Sequence, residues 1–227
     1  MAADEDDIGS SGKSVALETR NTSGDGRRFS PSAARNRDVI ADVFANAMPL
    51  DGRILEIASG TGEHGAHFVE RFSGLHWVYS DVDEISMDSQ RAWVRHAALG
   101  ARLDGPMLVD ASADHWGDAE GLAPLDGLYC ANMIHIAPFG AACGLISGAG
   151  RLLAPGGKLF LYGPFARNGE IAESNARFSE DLKRRDPSWG VRDLERDILP
   201  RAEAAGLVLD QVNEMPANNL SVIFRKS

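Results

Sequence analysis

The stretch that decides the fold is Ile54-Leu55-Glu56-Ile57-Ala58-Ser59-Gly60-Thr61-Gly62-Glu63-His64. It begins as a short apolar run typical of a buried strand, carries an acidic residue within that run, and passes directly into a glycine-rich turn. Glycines at such a turn let the backbone approach a ligand closely. A helix that starts after the turn directs free N–H groups and a positive dipole toward the same place. The stretch therefore predicts a strand, a ligand-binding turn and a helix, in that order.

Strands and helices alternate on both sides of this turn. Ser30-Pro31 suits the start of a helix that ends before Pro49, with serine as the N-cap and proline at the first helical position. The other predicted helices are Gly65–Phe72, Glu84–Leu99, Phe139–Leu153 and about Val191–Ala205, with a less regular stretch over Gly163–Gly190. The predicted strands are Arg53–Ala58, Leu75–Ser80, Met107–Val109, Leu125–Ala131, Lys158–Tyr162, Leu207–Val212 and Leu220–Arg225. This alternation predicts a parallel sheet with helices on both faces.

The last two predicted strands leave no room for a helix between them, so the seventh must return antiparallel to the sixth. The expected fold is therefore α/β, with a seven-stranded, mostly parallel sheet and an antiparallel terminal strand. A length of 227 residues favours one domain. Residues 1–27 are acidic and rich in serine and glycine, which predicts a disordered tail ahead of a domain over residues 28–227.

The composition disfavours several classes of partner. The net charge is −10, and the basic residues are scattered apart from Lys183-Arg184-Arg185, so we expect no nucleic-acid partner. No apolar run approaches the roughly 20 residues of a membrane span, and no secretory signal is seen. We therefore expect no membrane association and a cytoplasmic location. Cys130 and Cys143 lack metal-ligand spacing, which predicts reduced thiols and no metal site.

The glycine motif alone does not decide between two cofactors. Gly60 to Gly65 fits G-x-G-x-x-G, and Asp81 lies 21 residues beyond Gly60, which also suits a nicotinamide dinucleotide. Acidic residues at three successive strand ends, Glu56, Asp81 and Asp110, favour another cofactor. A buried Glu56 would be stabilised by amides of the turn and by the amino group of a methionine moiety, whereas it would repel a pyrophosphate. The three acids therefore favour S-adenosylmethionine, which has a positive sulfonium and no phosphate.

A family resemblance is carried by eight stretches: Arg28–Asn36, Leu55–His64, Ser80–Asp83, Asn132–Pro138, Tyr162–Phe165, Glu173–Ala176, Arg185–Asp193 and Met215–Asn219. In these stretches the chain resembles the class I, Rossmann-like methyltransferases that use S-adenosylmethionine, and more closely the methyltransferase-like protein 26 family. The resemblance covers nearly everything after the tail, and it implies a fold and a cofactor but no particular acceptor. One position departs from the wider class, because Ala58 stands where E-x-G-x-G-x-G has its first glycine.

The resemblance also implies where the cofactor binds. Asp81 would accept the ribose hydroxyls and Asp110 would face the adenine amino group. His64 would lie near the methionine end, with the start of a helix as its alternative role. Arg35 or Asn36 could close over the cofactor carboxylate or the acceptor, since arginine grips carboxylates in bidentate fashion. The predicted cofactor-binding residues are Arg35, Glu56, Ala58, Ser59, Gly60, Thr61, Gly62, His64, Asp81, Val82, Asp110, Ala111, Asn132 and Met133.

The predicted acceptor site follows the fourth and fifth strands. Asn132-Met133-Ile134-His135 stands where small-molecule methyltransferases often carry Asn or Asp and a His, and it lacks the Pro-Pro sequence of amino-methylating DNA enzymes. His135 is the predicted catalytic base or acceptor-orienting group, with a histidine hydrogen-bonded at the sheet edge as the alternative. Residues 163–190 are expected to overhang the crevice as a wall or a lid. The predicted acceptor-binding residues are Asn36, Tyr162, Glu173, Asn175, Arg192 and Asn218, with loop and cap chemistry as their alternative.

Three functions are consistent with the sequence. The favoured function is methyl transfer from S-adenosylmethionine to a small-molecule acceptor. A non-catalytic methyltransferase-like scaffold that binds a protein partner is the second, although the intact Glu56, Gly60, Gly62, Asp81 and Asp110 disfavour it. A nicotinamide-dependent oxidoreductase is the third, and it would need a proton-transfer set, such as a Tyr/Lys pair with Ser, that is not found after the fourth strand. The sequence leaves the oligomeric state open.

Overall fold

The computed structural model describes Glu18, residues 20–96 and residues 99–227. A central sheet of seven main strands runs through this part of the chain. The strands are β1 (Arg53–Glu56), β2 (His76–Asp81), β3 (Leu103–Leu108), β4 (Leu125–Ala131), β5 (Leu153–Ala166), β6 (Leu207–Met215) and β7 (Asn219–Lys226). Their order across the sheet is β3-β2-β1-β4-β5-β7-β6, and a two-residue strand, Arg192–Asp193, pairs with the end of β5.

The strand directions confirm the predicted α/β fold. Strands β1 to β5 pair in parallel. Strand β7 is antiparallel to both β5 and β6 and lies between them. The chain passes from β1 outward to β2 and β3 and then crosses back to β4, so the strand order reverses between β1 and β4. In open α/β sheets, ligands bind outside the carboxyl ends of the strands at such a switch point.

Two apolar cores lie on opposite faces of the sheet. Successive side chains of a strand point to opposite faces. Leu55 of β1 therefore packs in one core with Leu145 of helix α4 (Phe139–Leu152). Ile54 packs in the other core with Phe44 of α1 (Pro31–Ala47) and Phe68 of α2 (Glu63–Arg71). Helices thus cover both faces and leave the carboxyl edge of the strands for the site.

The first helix begins and ends as its sequence predicts. Ser30 is the N-cap, its Oγ accepting the Ala33 N–H at 3.3 Å, and proline occupies the first position. The helix ends at Ala47, ahead of Pro49. Other elements are confirmed with shifted bounds. Helix α2 begins at Glu63 rather than at Gly65, and β5 has 14 residues where five were predicted.

The secondary structure predicted for two segments near the C-terminus was wrong. Residues 163–190 contain a helix, α5 (Glu173–Arg185), which the sequence hides because its buried residues are Asn175, Ser179 and Leu182, of which two are polar. The single helix predicted over Val191–Ala205 is broken into a π-helical turn, Leu194–Ile198, and a short helix, α6 (Leu199–Ala204). Pro200 in that stretch has no N–H to donate to the residue four positions earlier.

The tail predicted over residues 1–27 lies partly outside the described residues, namely residues 1–17 and 19. Residues 20–27 are structured: Asn21–Thr22 pairs antiparallel with Arg28–Phe29. The N–H of Arg28 donates to Ser89 Oγ at 2.8 Å, so the pair lies against helix α3 (Glu84–His96). We call residues 20–30 the N-terminal strap. Within the described ranges, no helix has the length and apolarity needed to cross a membrane.

Candidate cofactor and acceptor sites

The turn after β1 has a left-handed backbone at three residues. Ala58, Gly60 and Gly62 have φ angles of 57°, 57° and 87°. A left-handed conformation costs an L-residue about 1–2 kcal/mol because its Cβ approaches the following carbonyl. Ala58 therefore adopts a conformation that the glycine usual at this position in the wider class would adopt more easily.

The predicted turn residues Ser59 and Thr61 are both buried, and their polar groups hold the turn in place. The N–H of Ser59 donates to the Ser80 carbonyl at 2.9 Å, while the Ser59 hydroxyl accepts the Ser80 N–H at 3.1 Å. Thr61 Oγ1 donates to Glu63 Oε2 at 3.1 Å, and the Thr61 carbonyl accepts from Ser89 Oγ at 2.7 Å. These bonds fix the turn against β2 and α3.

The three glycines of the motif have different roles. A Cβ on Gly65 would lie 2.5 Å from Trp77 Nε1, so this glycine permits α2 to pack closely on β2. A Cβ on Gly62 would lie 2.9 Å from Trp93 Cδ1. A Cβ on Gly60 would meet, among the described atoms within 4 Å, only Nη2 of Arg20 at 3.9 Å. Of the three, Gly60 is therefore the one whose missing side chain leaves room for a ligand.

The carboxylate of Asp81 joins this turn to the end of β2. Its Oδ2 accepts the Gly60 N–H at 2.8 Å and Gln90 Nε2 at 3.3 Å. Its Oδ1 accepts the N–H groups of Val82 at 2.8 Å and Asp83 at 3.1 Å. Burial raises the pKa of Asp81, while the bonds from Asp83, Gly60 and Val82 lower it. Four donors thus hold a buried carboxylate at the carboxyl edge of the sheet.

Glu56 lies beneath the turn and does not bind its amides. Its Oε2 accepts Trp77 Nε1 at 2.9 Å, and its side chain is buried. Burial raises the pKa of Glu56 to about 8, against hydrogen bonds from Trp77 and Ser59 that lower it. The Gly60 N–H, one of the turn amides predicted for Glu56, donates to Asp81 instead. The expectation that Glu56 binds the turn amides is therefore wrong for Gly60, whose amide is bound by Asp81 at the same edge of the sheet.

Apolar side chains are exposed beside Asp81. The exposed fractions of Val82, Ile85 and Leu108 are 55%, 55% and 69%, and Leu108 is the register partner of Asp81 on β3. Exposed apolar surface with a polar border marks binding sites more often than ordinary protein surface. The predicted adenine-side residues lie just after Leu108. Asp110 is exposed and accepts the Ser112 N–H at 2.8 Å, and Ala111 is buried.

Residues after β4 begin the other half of the site. Asn132 has a left-handed backbone and donates its N–H to the Tyr162 carbonyl at 2.8 Å, and Met133 is buried. His135 is fully buried, edge-on to the Phe165 ring at 5.0 Å. Its two ring nitrogens have no hydrogen-bond partner among the described residues. Burial lowers the pKa of His135 to about 3, so its imidazole is neutral at physiological pH.

A polar network connects four elements below the site. Asn36 of α1 lies 2.9 Å from His64 of α2, measured from Oδ1 to Nε2. Burial lowers the pKa of His64 to about 4, so the neutral ring donates to the Asn36 oxygen. Asn36 and Asn219 hydrogen-bond the Tyr162 hydroxyl and lower its pKa, although burial raises it overall. The predicted residues Asn36, His64 and Tyr162 are therefore brought together.

A groove of about 470 Å³ lies where β5, α5 and the turn between β6 and β7 meet. Asn175, which is 5% exposed, donates to the Asn218 carbonyl at 2.8 Å, and the Asn218 amide donates to Ser174 Oγ at 2.9 Å. Two predicted acceptor-binding residues, Asn175 and Asn218, thus line one cavity. The full lining is Phe165, Arg167, Glu170, Ile171, Ala172, Asn175, Glu214, Met215, Asn218, Asn219 and Leu220.

Two predicted acceptor-binding residues lie elsewhere. Glu173 is exposed in the first turn of α5, pairs with Arg177, and does not line the groove. Arg192 stacks over the Phe139 ring at 5.2 Å and donates at 2.8–3.1 Å to three main-chain carbonyls, those of Ile134, Ala137 and Ser188. Its guanidinium therefore holds the segment after β4 in place, which is a structural role.

Two residues beside the turn were not predicted. Gln90 of α3 is fully buried and donates to the Gly60 carbonyl at 3.0 Å as well as to Asp81. Arg20 of the strap lies over Gly60. The buried residues Ser86, Ser89 and Gln90 give α3 a polar buried face, which is the one signal in the sequence that could have identified Gln90. No local pattern in the sequence identifies Arg20.

The strand order, the reversed last strand and the helices around the sheet define the Rossmann-like methyltransferase fold. Solved structures with this fold include an O-methyltransferase family protein from Burkholderia thailandensis, with a TM-score of 0.71 and 18% identity over 86% of this chain and 56% of that one. An O-methyltransferase family 2 protein from Planctomyces limnophilus, in complex with apigenin, has a TM-score of 0.69 and 17% identity over 86% and 60%. Human N-acetylserotonin methyltransferase, in complex with SAM, has a TM-score of 0.66 and 14% identity over 86% and 53%.

This chain spans a little over half the length of those structures, and the similarity to them is one of fold. The family model described as "Protein of unknown function (DUF938)" matches residues 27–226. The chain belongs to that family.

Proposed function

We propose that this chain is an S-adenosylmethionine-dependent methyltransferase that acts on a small-molecule acceptor. The observation that carries the proposal is the arrangement at the carboxyl ends of β1, β2 and β3, beside the switch point between β1 and β4. There an open glycine, Gly60, is bonded to a buried carboxylate, Asp81, which has exposed apolar side chains, among them Val82 and Leu108, beside it. A ribose with its adenine base needs these groups: an acceptor for hydroxyls, a backbone that can be approached, and apolar surface for the base.

The charges of the crevice fit this cofactor better than a dinucleotide. Asp81 ends β2 and Asp110 follows the end of β3, whereas Glu56 at the end of β1 has a pKa of about 8 and is largely uncharged at neutral pH. The carboxylates of Asp81 and Asp110 complement a sulfonium and an ammonium group, and they would repel a pyrophosphate. The bond from Gln90 to Asp81 is the longest of the four at 3.3 Å, so we expect a ribose hydroxyl to replace it.

S-adenosylmethionine supplies a methyl group that its positive sulfur already activates. The chain would hold an acceptor in line with that group, and positioning of this kind can contribute up to about 7–11 kcal/mol. We assign the acceptor to the groove between β5 and α5, where Asn175, Asn218 and Asn219 offer amide groups. His135 is a weak base because its pKa is about 3, and it is fully buried outside the lining of the groove, so we propose that its neutral ring acts indirectly, by positioning the residues after β4.

The fold relatives support the same assignment, since one is bound to apigenin and another to SAM. The cofactor-binding set named from the sequence remains part of the proposal, apart from Arg35, which is exposed on α1. The closer resemblance to the methyltransferase-like protein 26 family, a cytoplasmic location and the lack of a nucleic-acid partner likewise remain predictions.

The proposal is tested by following S-adenosylhomocysteine formation. The purified chain is incubated with S-adenosylmethionine and small-molecule fractions of a cell extract, with the Asp81→Asn variant as control. S-adenosylhomocysteine that forms only when a small-molecule fraction is added, and not with the Asp81→Asn variant, would support the proposal. Cofactor binding with no product from any fraction would favour a non-catalytic scaffold instead.

A further inference from the structure

Arg20 lies over the glycine turn, at the start of the N-terminal strap. Its Nη2 is 3.9 Å from the position that a Cβ on Gly60 would occupy. Burial and the nearby charge of Arg28 lower the pKa of Arg20, while the carboxylates of Asp81 and Asp83 are close enough to raise it. The Arg20 side chain therefore forms part of the wall of the crevice in which we place the cofactor.

Hydrogen bonds at the end of the strap hold it in this position. The N–H of Arg28 donates to Ser89 Oγ at 2.8 Å, and the N–H of Ser30 donates to Glu63 Oε2 at 2.6 Å. Ser89 and Glu63 both also bond to Thr61 of the glycine turn. The strap is thus tied through two side chains to the turn that Arg20 covers.

The guanidinium of Arg20 has hydrogen-bonding capacity that the described residues do not use. Its Nε is buried and has no hydrogen-bond partner among the residues that the structure describes. A guanidinium offers five donors in a fixed fork, which matches the two oxygens of a carboxylate. Nη2, which faces Gly60, is the part of the guanidinium that an acceptor on a bound ligand would reach.

We propose that Arg20 binds the carboxylate of the methionyl part of the cofactor. This inference rests on the proposed function. The carboxylate is the anionic group of S-adenosylmethionine, and the strand ends around it carry acids that cannot bind it. Arg20 thereby takes the role that the sequence suggested for Arg35, which is exposed on α1.

The test compares two ligands that differ in this group. S-adenosylhomocysteine carries the methionyl carboxylate, whereas 5′-methylthioadenosine keeps the adenosine and the thioether sulfur but lacks the amino-acid part. Calorimetric titrations with each ligand are carried out on the parent chain and on Arg20→Gln. We expect Arg20→Gln to weaken S-adenosylhomocysteine binding at least about tenfold and to change 5′-methylthioadenosine binding by less than about twofold.

Two further variants complete the experiment. Arg53→Gln removes the same charge from an exposed residue at the amino end of β1, and it should leave both affinities unchanged. Arg20→Lys keeps the charge without the fork, so it should lose less affinity for S-adenosylhomocysteine than Arg20→Gln. Melting temperatures of all variants show whether the fold is retained.

The outcomes separate this inference from the function on which it rests. Equal losses for the two ligands would overturn the inference, because Arg20 would then act on the adenosine part or on the fold of the strap. Tighter binding of both ligands would overturn it too, since Arg20 would then compete with the cofactor for Asp81. If the parent chain bound neither ligand, the proposed function itself would fail.

Discussion

The main-chain N–H of Gly60 donates to Oδ2 of Asp81 across 2.8 Å, which joins the turn after β1 to the carboxyl end of β2. The same carboxylate accepts the N–H groups of Val82 and Asp83. One side chain therefore determines both the shape of the glycine turn and the negative charge beside it. Changes at Asp81 should accordingly affect stability and cofactor binding together.

We expect Asp81→Asn to weaken S-adenosylhomocysteine binding at least about tenfold and to lower the free energy of unfolding by about 1–3 kcal/mol. Both oxygens of Asp81 accept main-chain N–H groups, one from Gly60 and the other from Val82 and Asp83. Asparagine replaces one of these oxygens with an NH2 group, which would face N–H donors and could not accept from them. Calorimetric titration and denaturant unfolding measure the two effects.

The matched control for this variant is Asp126→Asn at the other end of the sheet. Asp126 also accepts a main-chain N–H, that of Arg53, at 2.8 Å, but it lies far along the strands from the turn. The Asp126→Asn variant should lose some stability and keep its affinity for S-adenosylhomocysteine. Equal affinities for the Asp81 variant and the parent chain would remove Asp81 from the site.

Glu56 should make the protein less stable as the pH rises. Its pKa is about 8 in the fold against an ordinary value of 4.5, so between these values the folded chain holds a proton that the unfolded chain releases. The stability from the protonated group is complete below pH 4.5 and is lost as the pH rises through 8. Relative to the parent, Glu56→Gln should gain about 1.4 kcal/mol in free energy of unfolding per pH unit over that window.

Denaturant unfolding at several pH values measures this gain, and the exposed Glu203→Gln is its control. Glutamine keeps an oxygen that can accept from Trp77, so the variant should fold. A stability difference between Glu56→Gln and the parent that stays constant from pH 4.5 to 8 would show that Glu56 is ionised in the fold.

His135 should make the protein less stable as the pH falls. Its pKa is about 3 in the fold against an ordinary value of 6.5, so the unfolded chain takes up a proton below pH 6.5 and the folded chain does not. The free energy of unfolding therefore falls on acidification from 6.5 toward 3. His135→Leu should reduce that slope by about 1.4 kcal/mol per pH unit.

The control for His135→Leu is His115→Leu, since the His115 side chain is 81% exposed. The slope of the His115 variant should equal that of the parent chain. If the His135 variant also kept the parent slope, the folded and unfolded chains would protonate His135 at the same pH, and burial would not lower its pKa.

Ala58→Gly should stabilise the fold. Ala58 has φ 57°, a conformation that disfavours any residue with a Cβ, so glycine removes strain although it also loosens the unfolded chain. We expect the free energy of unfolding to rise by about 0.5–1 kcal/mol. The same change in a helix, Ala34→Gly, should lower it by about 1 kcal/mol. If Ala58→Gly and Ala34→Gly lowered the free energy of unfolding by the same amount, the turn would impose no strain on Ala58.

The sequence predicts the fold well where local patterns match the tertiary structure. The apolar run around Leu55 and the glycines after it predict β1 and its turn, and Ser30 with Pro31 predicts the start of α1. Helix α5 is missed because it buries Asn175 and Ser179, which leaves little apolar periodicity in its sequence.

The site is predicted less completely, because the partner of a side chain depends on the tertiary structure. Asp81 and Gly60 are identified by their positions at strand ends. Arg192, by contrast, was expected to bind the acceptor, yet main-chain carbonyls surround its guanidinium. Arg20 was assigned to a disordered tail, but the pairing of Asn21–Thr22 with Arg28–Phe29 places it at the turn.

Isothermal titration of the purified chain with S-adenosylmethionine, S-adenosylhomocysteine and NAD tests the central claim most directly. The arrangement of Gly60, Asp81 and the acids at the strand ends predicts saturable binding of the two sulfur compounds and no binding of NAD. Binding of NAD alone would contradict the claim, because the crevice would then accept the pyrophosphate that its carboxylates are expected to repel.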